Sequence, residues 1–241
     1  DQDRAAGTDV EEIKDIEHLQ LTPEEAFYLT YVLGVLDIIE GNFVDGNTAL
    51  PAWYLLRLYS AYALSPTDDA AIIGLKKMFQ YRERLAQKTA ALPSTQQIAP
   101  DNPFLLKYVV YHHFRSLGWV VRPGIKFAVD YLLYLRGPAF HHAEFGVHIV
   151  PSYSHPYWSE TPERVEHRKE KETRDWWWFH RVNRVQTAVM KTLVLVYVEV
   201  PPPWDGETKQ NTLSVDIGKV LKSYTVREVV FKRWSPSRNR D

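Results

Sequence analysis

After a polar stretch over residues 1–15, apolar residues recur at helical spacing to about position 80, and each run opens on a proline-containing start. Leu21-Thr22-Pro23-Glu24-Glu25 reads as a helix start, with Thr22 as N-cap, Pro23 at the first helical position and Glu25 at the capping-box position. The run Ala26 to Leu33 follows and ends near Gly34 or Gly41. A second helix is predicted from Leu50-Pro51-Ala52-Trp53 to about Leu64, and Pro66-Thr67-Asp68-Asp69 opens a third carrying Ile72, Ile73, Leu75, Met78 and Phe79. None of these segments gathers residue types that do chemistry together. Composition turns to Pro, Ser and Gln over 90–103. We expect a mainly helical scaffold domain over 1–95, a linker over 96–103 and a second domain over 104–241.

Beyond the linker the pattern changes from helical to mixed. Asn102 caps a helix whose first residue is Pro103 and whose stop is Gly118. Short strands are predicted at Trp119–Val121, near Val129–Tyr134 and near Phe145–Val150, separated by turns at Pro123-Gly124 and Gly137-Pro138. Residues 151–175 read as a long charged loop. A helix follows from about Asp175 to Lys191. The run Thr192 to Val200 is the clearest buried strand, ended by Pro201-Pro202-Pro203. A last strand is predicted over Val226–Trp234. Helix, strands, helix and strands make a compact mixed α/β domain. No internal repeat is present.

Composition narrows the classes. The chain has 241 residues, 45% hydrophobic and 24% charged, which suits a globular protein with a core. It has no cysteine, so disulfide scaffolds, zinc fingers, thiol nucleophiles and iron–sulfur sites are excluded. No apolar run approaches the roughly 18 residues of a membrane span. The acidic start at Asp1 lacks a signal-peptide pattern, and we expect a processed piece of an intracellular protein. The formal net charge of −1 hides a split. Residues 1–100 hold 8 Lys and Arg against 15 Asp and Glu, whereas 101–241 hold 21 against 15. The basic half suits phosphates, and the acidic half suits a partner or solvent.

Candidate chemistry lies in the basic half. His141 and His142 sit at a turn-to-strand junction, where an imidazole suits proton transfer because its free pKa is near neutrality. Taken singly, each reads more readily as a surface or core-edge histidine making one backbone hydrogen bond. His141, His142, Glu144 and His148 are near one another in sequence, yet no HExxH or comparable ligand spacing occurs. In the helix before the buried strand, Arg184 and Lys191 are seven apart, about two turns. Trp178, Val182, Val185 and Val189 form the opposite, core-facing stripe. Lys191 falls at the join between that helix and the strand. Tyr134 closes a strand, and a tyrosine is a poor base unless cations lower its pKa from about 10.

The stretch Gly124-Ile125-Lys126-Phe127-Ala128-Val129-Asp130-Tyr131-Leu132-Leu133-Tyr134, then Arg136-Gly137-Pro138, then Phe140-His141-His142-Ala143-Glu144-Phe145, closely resembles the tRNA-splicing endonuclease family. The likeness is best to the eukaryotic catalytic subunit that cuts the 5′ splice site. Tyr111 to Trp119, Arg184-Val185 up to Lys191, Glu228 to Trp234 and Leu21 to Phe27 agree with it, so it covers most of residues 20–238. Two stretches depart: Ala128 stands where relatives often have Gly, and 151–175 matches nothing in the pattern.

The resemblance implies a tRNA-intron-endonuclease-type α/β nuclease domain with a catalytic triad of Tyr134, His142 and Lys191. It also implies that Arg184 and Trp234 sandwich a base of the RNA bulge, which suits an unpaired base because every base has a π-face. The implied reaction needs no cofactor and no metal. The 2′-OH attacks the adjacent phosphate, with Tyr134 as base, His142 as acid and Lys191 stabilising charge, giving 2′,3′-cyclic phosphate and 5′-OH ends. Implied partners are a precursor tRNA, a second catalytic subunit and two structural subunits of a heterotetramer. The implied location is the nucleus, or else the cytosolic face of the mitochondrial outer membrane. Arg122, Lys126 and Arg136 lie near the triad in sequence, each a phosphate contact or simply a surface cation. Two rival readings stand: a non-catalytic RNA-binding or scaffold subunit of the same complex, and a metal-dependent nuclease using His141, His142 and Glu144.

Overall fold

A computed structural model describes residues 19–39, 49–64, 98–204 and 216–232. The helix expected from Pro66, residues 96 and 97 of the linker and Trp234 lie outside the described residues. Helix α1, Pro23–Phe27, begins on a reciprocal capping box. Thr22 Oγ1 accepts from the Glu25 amide at 3.2 Å, and Glu25 Oε2 accepts from the Thr22 amide at 2.9 Å. The chain continues as a wider π-helical turn, Tyr28–Leu33, closed at Gly34. Helix α2 is Ala52–Leu64. Helix α3 is Pro103–Ser116, capped by Asn102, whose Oδ1 accepts from the Phe104 amide at 2.9 Å. The Asn102 Nδ2 donates to the Ser60 carbonyl at 3.0 Å, which ties the start of α3 to α2. Gly118, at φ 90°, ends α3 as its position predicts.

Among the described residues five strands form one sheet in sequence order: β1 Val120–Pro123, β2 Tyr131–Tyr134, β3 Phe145–Ser152, β4 Thr192–Glu199 and β5 Thr225–Phe231. Neighbours are antiparallel except β3 and β4, which run parallel. A parallel pair needs a crossover, and here it is made by helices α4, Pro162–Glu172, and α5, Trp176–Ala188. The sheet is covered on both faces. On one, α1, α2 and α3 share a single core with Val147, Val194 and Val196. Phe27 is its hub, edge-on to Phe104 at 5.8 Å and to Tyr108 at 4.8 Å. On the other face α5 packs Trp178, Phe179 and Val182 over Val129, Leu132, Leu193 and Leu195. Burial on both sides explains why β4 reads as an unbroken apolar run rather than an alternation.

Two parts differ from expectation. The stretch 151–175 is not a loop: it holds a 3-10 turn, Pro156–Ser159, and α4. Thr161 caps α4, Pro162 takes its first position, and Arg164–Glu160 and Arg168–Glu172 pair one turn apart at 2.7 and 2.9 Å. No residue of α4 is buried, so it carries no apolar stripe for a periodicity reading to find. Its attachment is polar and aromatic. His167 Nε2 lies 2.7 Å from Asp101 Oδ2, and the same oxygen accepts from the Tyr153 hydroxyl at 3.0 Å. The buried Trp158 stacks on His167 and donates its indole N–H to the Val200 carbonyl at 3.0 Å. A short helix α6, Ile217–Lys222, also precedes β5 without a pattern that announced it.

Candidate active site

Three chain segments end in one row across the sheet. Leu133 pairs with Phe145 and Phe145 with Thr192. The Glu144 amide donates to the Leu133 carbonyl at 3.1 Å, and the Thr192 amide donates to the Glu144 carbonyl at 3.0 Å. Tyr134 is the last residue of β2, directly after Leu133. His142 stands two residues before Glu144, in the turn that leads to β3. Lys191 stands directly before Thr192, at the start of β4. The sheet therefore brings the bases of all three side chains to one end.

Lys191 is the most firmly held of the three. Helix α5 ends with Val189 as its cap, and Met190 takes the left-handed conformation at φ 55°. The Met190 amide donates to the Thr187 carbonyl at 3.2 Å and the Lys191 amide to the Gln186 carbonyl at 2.9 Å. That is the double hydrogen bond of a Schellman terminus, with methionine where glycine is usual. It turns the chain from α5 into β4 and sets Lys191 at the corner. The Lys191 ammonium then donates to the Ala143 carbonyl at 3.4 Å, one residue from His142. It also lies 4.9 Å from the centre of the Phe127 ring, a cation–π distance.

His142 is exposed, as is His141, while Ala143 is buried and pins the turn. The turn is built on Gly137, whose carbonyl accepts from the Phe140 and His141 amides at 3.2 and 3.3 Å. Tyr134 is half-buried and lines a cleft of about 420 Å³.

The seven-residue spacing of Arg184 and Lys191 does not put them on one helical face, because α5 stops at Ala188. Arg184 is exposed and lines a separate groove of about 490 Å³ with Phe179, Asn183, Thr187, Phe231 and Lys232. Trp234, its expected stacking partner, lies outside the described residues. The buried stripe of α5 is also corrected. Trp178 and Val182 face the sheet as expected, but Val185 is 39% exposed and Gln186 is fully buried instead.

Gln186 is a supporting residue that the pattern of apolar positions could not reveal, because it is a polar side chain on the core stripe, four residues after Val182. Its Nε2 donates to the Phe127 carbonyl at 2.5 Å, fixing the backbone under the ring that Lys191 covers. Space for it depends on Gly146, where any Cβ would collide with Gln186 Oε1.

His148 is in mid-strand, 3.3 Å from Asp130 Oδ2 and against the Trp178 ring, tilted by 54° with ring centres 4.8 Å apart. Burial pulls its pKa below the ordinary histidine value, Asp130 opposes that shift, and Arg174 adds to it. Among the described residues no three His, Asp or Glu side chains gather as a metal-binding group, so His141, His142 and Glu144 do not form one. No described helix is long and apolar enough to cross a membrane.

Comparison with known proteins agrees with this arrangement. Residues 104–202 match the family described as tRNA intron endonuclease, catalytic C-terminal domain. The chain is similar to a probable tRNA-splicing endonuclease subunit sen2 of Schizosaccharomyces pombe, 35% identical over 95% of this chain and 53% of that protein. It is similar to tRNA-splicing endonuclease subunit SEN2 of Saccharomyces cerevisiae, 33% identical over 94% of this chain and 43% of that protein. It is similar to the mouse subunit Sen2, 30% identical over 93% of this chain and 36% of that protein. The chain thus spans about half the length of the yeast relatives, and less of the mouse one. With this sheet, this row of strand ends and these relatives, residues 104–202 belong to the tRNA intron endonuclease catalytic-domain family, and the whole chain is similar to Sen2-type subunits.

Proposed function

We propose that this chain is the subunit of a tRNA-splicing endonuclease that cuts intron-containing precursor tRNA at the 5′ splice site, without a metal ion. One observation supports the reading most. The Lys191 ammonium is held at the carbonyl adjoining His142, in the same row of strand ends as Tyr134. A cation fixed there meets charge that develops on a phosphorane without having to reorganise.

In the proposed reaction Tyr134 takes the proton of the ribose 2′-OH, whose oxygen attacks the adjacent phosphorus. The P–O5′ bond breaks on the opposite side, and His142 gives its proton to the leaving 5′-oxygen. The products are a 2′,3′-cyclic phosphate and a 5′-hydroxyl. His142 is exposed, as a side chain must be to reach a leaving group on a bulky substrate. Arg184, on its own groove, would meet an unpaired base of the splice-junction bulge, with Trp234 opposite.

The reading places the chain in an assembly with a second catalytic subunit and two structural subunits. The relatives' names call them subunits. Among the described residues β5 is an edge strand with Val229 and Val230 exposed, which is a liability unless something pairs with it.

The test is His142→Ala in the assembled complex. Cleavage at the 5′ site is expected to fall by about 10²–10⁴-fold, the usual value of a general acid, with precursor-tRNA binding unchanged. Loss of binding in step with loss of cutting would overturn the role given to His142.

A further inference from the structure

The cleft beside Tyr134 enters the proton transfers above only through Tyr134 itself, and the rest of its lining has been given no role. Its about 420 Å³ falls in the range, roughly 300–1,000 Å³, of sites that hold a small ligand. Its apolar walls are Phe127, Leu132 and the two prolines Pro123 and Pro138. Its cations are Arg122 and Lys126. The third side comes from the far end of the sequence: Thr22 and Glu25, the capping box of α1.

The electrostatics of this cleft are arranged. Arg122 Nη1 donates to Glu25 Oε1 at 3.0 Å, while the other oxygen of that carboxylate accepts from the Thr22 amide at 2.9 Å. Glu25 is thus committed on both oxygens, and its side chain is only 11% exposed against 51% for Arg122. The carboxylate orients the guanidinium, and the remaining Arg122 N–H groups stay available. Lys126 is exposed at the mouth, next to Phe127. Phe127 belongs to two environments at once, since the Lys191 ammonium lies over its ring. The cleft and the candidate triad therefore share a wall.

Polarity follows from which triad member opens onto the cleft. Tyr134 lines it and His142 does not. Under the proposed reaction, on which this inference rests, Tyr134 faces the ribose that carries the attacking 2′-OH. That ribose belongs to the nucleotide on the 5′ side of the scissile phosphate. We propose that this cleft is the subsite for that unpaired nucleotide. Its base packs against Phe127, Leu132 and Pro138, and the phosphate on its own 5′ side is met by Lys126, with Arg122 oriented by Glu25 beside it. The acidic N-terminal segment then forms part of the RNA-facing surface, through a carboxylate that is neutralised by its arginine.

The experiment measures binding, so that it reads out even if the chemistry assigned to Tyr134 and His142 is wrong. The assembled complex carrying His142→Ala is titrated with precursor RNA that has a single methylphosphonate, a neutral phosphate substitute, either one position upstream or one position downstream of the scissile phosphate. Both RNAs are also bound to the complex that carries Lys126→Ala in addition. The upstream methylphosphonate and Lys126→Ala are each expected to weaken binding about five- to tenfold, and each to lower the salt dependence of log K by about one. Together they are expected to cost no more than either alone. Independent, multiplying losses, or coupling to the downstream position instead, would overturn the subsite. Lys126 is exposed, so its truncation leaves the fold intact, and circular dichroism checks this. Failure of the proposed reaction would show separately, in unmodified complex and RNA, as an absence of cyclic-phosphate ends.

Discussion

At the residue scale, the candidate catalytic side chains were legible in the sequence and their supports were not. Tyr134 and His142 stand out through the Gly124–Tyr134 and Phe140–Phe145 blocks, and Lys191 through the stretch from Arg184 to Lys191. Gln186, Gly146 and Met190 do not, because each acts by geometry rather than by a distinctive type. Met190 takes φ 55° and Ala128 takes φ 56°, a region that costs a residue with a Cβ about 1–2 kcal/mol. Met190→Gly is therefore expected to raise the unfolding free energy by about 1 kcal/mol, after the entropy lost by the added glycine, measured as a shift of the urea midpoint at unchanged slope. A fall in stability would show that the side chain of Met190, 93% exposed, contributes packing that its surroundings do not suggest. Gly146→Ala tests the opposite case. Its Cβ must displace Gln186 from the Phe127 carbonyl, and the expected cost is roughly 1–3 kcal/mol, as for overpacking. A neutral Gly146→Ala would contradict the support assigned to Gln186.

At the scale of elements, legibility followed the kind of interaction that holds each piece. Helices α1, α3 and α5 carry caps and apolar positions, α2 carries apolar positions, and the strands of the sheet carry apolar runs, so their places were readable. The crossover segment was misread as a loop because α4 is held by ion pairs one turn apart and by Asp101, His167 and Trp158. The spacing of Arg184 and Lys191 misled for a related reason. A periodicity holds only while the helix lasts, and the Schellman turn at Met190 ends it without a glycine to mark the place. The packing of α5 on β3 makes a pH prediction. His148, under Trp178, has its pKa lowered by burial, and His112 is shifted the same way by burial and by His113. The folded state thus holds fewer protons than the unfolded state just below the unfolded value of about 6.5. Stability is full above that pH and falls as the solution is acidified through the lowered pKa values. His148→Gln is expected to reduce the slope of unfolding free energy between pH 7.5 and 5.5. An unchanged slope would mean that His148 titrates alike in both states.

At the scale of the molecule, the net charge of −1 was the least informative number and its division at residue 100 among the more useful. The basic half contains the row of strand ends, the Arg184 groove and Lys126. The acidic half is not a separate layer among the described residues. Phe27 packs on Phe104 and Tyr108, and Glu25 pairs with Arg122. No composition count foresees such contacts, because they join positions far apart in the chain, up to 97 residues for Glu25 and Arg122. The proposed reaction uses Tyr134, His142 and Lys191 to cut RNA without a metal ion. The most direct measurement is the chemistry of the ends left when the assembled complex cleaves a precursor tRNA in excess EDTA. The account predicts undiminished cutting, a 2′,3′-cyclic phosphate on the upstream fragment and a 5′-hydroxyl on the downstream one. Cutting that stops in EDTA, or a 5′-phosphate on the downstream fragment, would contradict it.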